Sequence, residues 1–262
     1  MIEIIEQAKE GLPLDDIFII DSHCHMGYWH NFNVPENSAE GMLKSMDTLG
    51  INIACTTAHS SIGPNYKYGN DMVIDAVLKY PDRFVGYVTI SPHYPEDIKN
   101  EMERCFSIPG MRGIKLHPSS HRCPIDYKNY HIVYNTADEM HYPVLIHVFS
   151  RGDVAIIDKL ASEYMGAQFI MGHAGGEIRA MEDAVDVVNR HDNVYVDLAF
   201  SNPFEGNVEW FVKEMGSKKV LFGSDMPFYD PRPTFGRVAM SDISLEEKKD
   251  VFGLNMKKLL ML

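Results

Sequence analysis

The stretch "FIIDSHCHMGYWH" (residues 18–30) places two imidazoles, His23 and His25, one residue apart at the end of an apolar run. In a strand, residues i and i+2 share a face, so the two histidines point one way and Cys24 the other. Chemically able residues recur at the ends of other apolar runs. Lys115 and His117 close "RGIKLH" as a second i, i+2 pair, His147 lies in "PVLIHV", His173 ends "QFIMGH" and Asp225 ends "KVLFGSD". Imidazoles and a carboxylate brought to one place can bind a divalent metal. Twelve histidines in 262 residues make an H-x-H a chance event, with roughly 0.5 expected. The shared placement at strand ends is therefore the stronger signal.

Something must hold those ends together. Short apolar, β-branched runs occur at 17–21, 51–57, 84–90, 112–117, 143–148, 168–173, 193–200 and 219–225. Such near-continuous apolar runs are typical of parallel strands buried on both faces. Helical patterns fill the gaps. One starts at a Ser38 cap and stops on Gly50, one stops at Pro81, and one runs from an Asp153 cap to Gly166. The last spans 244–262 and opens with Ser244 and Glu247 in capping-box spacing. Eight strands alternating with helices predict an α/β fold of the (β/α)8 barrel type over residues 1–262, with its chemistry at the C-terminal mouth. A doubly wound open sheet is the alternative, but the chain has no G-x-G-x-x-G turn.

The formal charge is −13, from 37 acidic and 24 basic residues. An acidic surface repels phosphate backbones and anionic lipids, so neither nucleic acid nor membrane is expected as a partner. The acidic opening "MIEIIEQAKEGLPLDD" does not read as a signal peptide. The four cysteines form no C-x-x-C. A reduced, cytoplasmic enzyme is the expectation, with a homodimer allowed.

The motifs "DSHCH", "GIKLHP", "LIHV", "FIMGHAGG", "NVYVDLAF" and "LFGSDMPF" resemble the amidohydrolase superfamily. The nearest resemblance is to its amidohydrolase 2 branch, which includes metal-dependent hydrolases and enzymes of the aminocarboxymuconate-semialdehyde decarboxylase type. The resemblance spans nearly the whole chain and implies a distorted barrel. It implies His23, His25, His147 and Asp225 as ligands of one divalent metal, most simply Zn2+. It also implies His173 as a second-metal ligand or a proton-transfer group. Zinc would bring a bound water's pKa near ~7, and Asp225 could relay its proton. In binuclear relatives a carbamylated lysine on strand four bridges two metals. Unmodified, Lys115 would favour an anionic small-molecule substrate, with His117 and Arg151 as further contacts.

The leading expectation is a metal-dependent hydrolase of a small carboxylate-bearing amide, ester or lactone. The alternative is a nonoxidative decarboxylase of a small unsaturated or aromatic carboxylate. The chain's modest length, with little room for long insertions, favours hydrolysis. A TatD-like nuclease would carry a glutamate on strand four, where this chain has Lys115. A non-enzymatic metal-binding barrel would show no turnover. Tyr28, Trp29 and His30 follow strand one and could wall a pocket or cover the barrel rim, while His59 follows strand two and Phe228 and Tyr229 follow strand eight. His93, His121, His131, His141 and His191 are expected at the surface.

Overall fold

A computed structural model describes residues 4–199 and 204–262. Eight strands form one sheet in chain order: β1 (Ile20–Met26), β2 (Ile53–Ala58), β3 (Phe84–Thr89), β4 (Met111–Leu116), β5 (Pro143–His147), β6 (Gln168–Gly172), β7 (Val194–Asp197) and β8 (Val220–Leu221). Every neighbouring pair from β1·β2 to β7·β8 is parallel. The sheet curls until β8 meets β1. Ser22 N donates to Phe222 O, Asp225 N to His23 O and His25 N to Met226 O, all at 2.8–2.9 Å. The result is a (β/α)8 barrel, with a helix after each strand, from Ala39–Leu49 after β1 to Pro231–Met240 after β8.

Two apolar layers hold it. The outer one lies between strands and helices and includes Cys24, Met26, Ala54, Val88 and Ile146. The inner one fills the barrel's lower half with Ile20, Val85, Tyr87, Leu145, Ile170 and Leu221, floored by Met256, Leu259 and Leu260. Helix caps match the sequence at Ser38 and at the Ser244–Glu247 box. The helix expected to start at Asp153 starts at Arg151 and is capped by Ser150. The closing helix is interrupted by a π segment at Asp250–Leu254, where a Cβ on Gly253 would lie 2.2 Å from Phe18 O.

β1 differs most from its expected span, running through the histidines rather than stopping before them. Asp21 pairs with Ala54 and Cys24 with Thr56, so β1 carries one extra residue: a β-bulge. In a regular strand Ile20 and His23 would face opposite sides. The bulge lets Ile20 fill the inner layer while His23 and His25 also face inward and Cys24 packs in the outer layer. Asp21 holds the bulge. Its carboxylate accepts from His23 N at 3.2 Å, Ser224 N at 3.0 Å and the Ser224 hydroxyl.

Candidate metal centre

His23 lies at the middle of the mouth. Its Nδ1 donates to the buried Asp197 Oδ2 at 2.9 Å. That bond leaves the lone pair on Nε2, the arrangement by which a carboxylate fixes a metal-binding imidazole. His23 Nε2 is 3.2 Å from His25 Nε2 and 3.7 Å from Asp225 Oδ1, and His25 Nε2 is 3.0 Å from Asp225 Oδ1. These three side chains bring donor atoms within 4.8 Å of one another, all buried. They form a candidate divalent-metal site, and the donor set fits one: two imidazoles, one with a fixed tautomer, and a carboxylate. Lys115 Nζ, entirely buried on β4, donates to His23 Nε2 at 2.7 Å. A cation thus already stands beside the donors.

A second group, His23, His173 and Asp197, is equally close. Asp197, however, also accepts the backbone N–H groups of His173 and Ala199 at 2.9 and 3.0 Å, so it is a positioning carboxylate. His173 Nδ1 donates to Ala199 O at 2.8 Å, and its Nε2 therefore accepts from His147 Nδ1 at 3.0 Å. His147 stands beside His173 and is not among the mutually close donors. Its ring stacks on His117 at 4.0 Å and on Phe149 at 5.3 Å. Several of these residues sit in backbone conformations that side chains rarely adopt, with φ of 64° at His173, 48° at Ala174 and 65° at Asp225.

Burial keeps the His25, His117 and His173 imidazoles neutral. It lowers His25 and His117 well below the usual histidine range, the latter helped by Lys115, and takes His173 to about 4. Burial also takes the Lys115 ammonium down to about 8, against the pull of Asp225 and Asp197. For those two carboxyls burial acts upward. The hydrogen bonds of His25 to Asp225 and of His23 and the His173 backbone to Asp197 outweigh it and hold both below their ordinary values.

Above His25 and Asp225 lies a cleft of about 310 Å³, walled by Trp29, Phe32, Phe149, Phe228 and Tyr229 and by His59, His117, His147 and His173. His59 joins the site without having been assigned a role from the sequence. It follows β2, stacks on His25 at 5.0 Å and donates from Nδ1 to Gly27 O at 3.1 Å, leaving its Nε2 lone pair available. Its only signal in the sequence was its position just past a strand end. Two expectations are corrected. Arg151 heads the helix after β5, where its exposed side chain is locked to Asp183 at 2.5 and 3.0 Å, away from the cleft. His121 is buried, with Nδ1 2.6 Å from the Tyr130 hydroxyl.

A family model described as amidohydrolase matches residues 20–262. The chain belongs to the amidohydrolase family. Three solved structures share this amidohydrolase's fold. One is a 5-carboxyvanillate decarboxylase from Novosphingobium aromaticivorans, complexed with manganese and 4-hydroxy-3-methoxy-5-nitrobenzoic acid. It is 17% identical with a TM-score of 0.75, over 95% of this chain and 97% of that one. The second is a 2,6-dihydroxybenzoate decarboxylase complexed with 2,6-dihydroxybenzoate, 15% identical at 0.75, over 94% and 98%. The third is a 4-oxalomesaconate hydratase from Rhodopseudomonas palustris, 19% identical at 0.71, over 93% and 96%. No curated protein sequence matches this amidohydrolase. Among its described residues no helix is long and apolar enough to cross a membrane.

Proposed function

We propose that this amidohydrolase is a metal-dependent, nonoxidative decarboxylase of a small aromatic or unsaturated carboxylate. The observation that carries the reading is the aromatic cleft directly over His25 and Asp225. The activities named for two of the similar folds support it over hydrolysis. This chain spans nearly the whole of each, so its modest length does not set it apart from them.

His23, His25 and Asp225 would hold the metal, with manganese the first ion to load because the carboxyvanillate decarboxylase was solved with it. A metal there supplies positive charge that fixes the substrate carboxylate. The protein does the rest. Asp197 keeps the His23 ring in place through Nδ1. His173 orients His147, a residue of the cleft wall, through their shared hydrogen bond, which leaves a lone pair on His147 Nε2. The stacked His117 and His147 rings and the walls formed by Phe149 and Phe228 receive a flat ring and exclude water. In the reaction the bond between the carboxylate and its carbon breaks, carbon dioxide leaves, and the electron pair on that carbon takes up one proton. Asp225, beneath the cleft and ionised at rest, is the group assigned to relay that proton from solvent water to the carbon.

The test is carbon dioxide release from a panel of hydroxybenzoates by manganese-loaded protein, run beside an ester and lactone panel. Carbon dioxide release without ester cleavage is expected. Ester or lactone turnover with no carbon dioxide would return the assignment to hydrolysis. Substituting both His23 and His25 by Ala should take bound metal below half of the wild-type content.

A further inference from the structure

We infer that the cleft admits a ring bearing a single carboxylate and excludes a second anionic group. The inference rests on the reading above, in which the metal holds that one carboxylate.

It starts from the charges on the wall. Among the described residues lining the cleft there is no lysine and no arginine, while Asp225 contributes a carboxylate. Residues 200–203, which follow β7, are Phe, Ser, Asn and Pro and bring no cation either. Three basic residues on or near the strands of the mouth stay outside that lining. Lys115 lies beneath the cleft beside His23, Arg151 pairs with Asp183 at an exposed position, and Arg237 donates to Leu198 O at 2.8 Å. The other polar groups of the wall are imidazoles, the Asn31 amide, the Trp29 indole N–H and the Tyr229 hydroxyl. His117 Nδ1 accepts from Ser120 N, and His59 Nδ1 donates to Gly27 O. Such groups can exchange hydrogen bonds with a neutral substituent such as a hydroxyl, but they carry no fixed positive charge.

The wall's shape points to the remainder of the ligand. His147 stacks on both His117 and Phe149, 14° from parallel with each, a series of rings that a flat ligand can extend by one layer. Gly176 secures the outermost of them. It has φ +79°, and a Cβ there would lie 2.6 Å from the Phe149 ring. A second carboxylate against this face would lose its water, gain no cation and lie in the same cleft as the Asp225 charge. The cleft therefore selects a monocarboxylate whose product after loss of carbon dioxide is uncharged.

Three ligands of nearly identical shape separate charge from size: isophthalamide, 3-carbamoylbenzoate and isophthalate, with no, one and two carboxylates. Each is titrated calorimetrically into the manganese-loaded full chain at neutral pH. The monocarboxylate should bind about tenfold or more tighter than either neighbour. Isophthalate binding as tightly as the monoamide would overturn the inference, since a cation would then be reaching the cleft, for instance from a second copy of the chain. Isophthalamide binding as tightly as the monoamide would overturn it too, as would no binding by any of the three. Failure of the decarboxylase reading looks different. The monocarboxylate preference would persist while no hydroxybenzoate released carbon dioxide.

Discussion

The two ends of the barrel's interior are built from the same strands and have almost nothing else in common. At the floor, Ile20, Leu145, Ile170 and Leu221 pack with Met256 and Leu259 in one apolar cluster. A few residues further along the same strands, the interior holds His23, His25, Lys115, His173, Asp197 and Asp225, all buried. His173, Ala174 and Asp225 take positive φ at this upper end, and His25 Nδ1 is buried there with no hydrogen-bond partner. The floor spends its residues on cohesion, whereas the mouth accepts strain and desolvated charge to hold a cation and a substrate. Stability and chemistry are thus separated along one axis, and substitutions at the two ends should fail in opposite ways.

The largest effect is expected at the mouth. Asp225→Asn keeps the side chain's shape but removes both the ligand charge and the proton carrier. Carbon dioxide release should fall by at least about 10² in kcat, with only a small loss of urea unfolding free energy, which arises because the fold favours the ionised carboxylate that pairs with His25. A variant that lost stability and activity in parallel would break the separation. At the floor the pattern should reverse. Leu145→Ala should cost about 2–5 kcal/mol of unfolding free energy, seen in denaturant titration, while metal content per folded molecule stays at the wild-type level.

A pH effect of intermediate size should come from outside both ends. Burial, with His93 nearby, lowers His121 to about 4 against an ordinary histidine value of 6.5. Between those values the unfolded chain binds the extra proton, so stability is full above pH 6.5 and is lost as pH falls toward 4. His121→Gln cannot titrate. Its unfolding free energy should therefore fall by about 1–2 kcal/mol less than wild type between pH 7 and pH 5. Equal losses would show that the His121 proton is not involved. The smallest effect is expected at Cys24, which shares β1 with the candidate ligands but packs in the outer layer. Cys24→Ala should cost about 1 kcal/mol and leave bound metal untouched. Metal loss comparable to that of a histidine variant would mean the bulge does not turn the strand as described.

Much of this was legible in the sequence because burial on both faces leaves a continuous apolar signature. All eight strands lie within or beside their predicted runs, and the parity argument for Cys24 follows from period two alone. The bulge at Asp21–Cys24 was not legible, since an extra residue in a ladder changes hydrogen bonding without changing composition. β8 was predicted through Asp225 but ends at Leu221, because the closing contacts with β1 are irregular rather than laddered. Arg151 looked available beside a strand end, and only the packing of the next helix shows it engaged by Asp183. Asp197 sat in plain view in "NVYVDLAF" without a role, because its role lies in what it holds: His23 and the backbone of His173.

The barrel's floor also bears on how the molecule comes to exist. Ile20 is among the first residues of the sheet, yet the side chains that seal the inner layer beneath it belong to Met256, Leu259 and Leu260, and Arg112 on β4 donates to Leu260 O at 3.2 Å. A growing chain on the ribosome can pair β1 with β2 and wrap the later strands around them. Until residues 256–260 have been synthesised, however, the underside of the sheet stays open and its apolar lining wet. That nascent intermediate is where a chaperone would find exposed surface to hold.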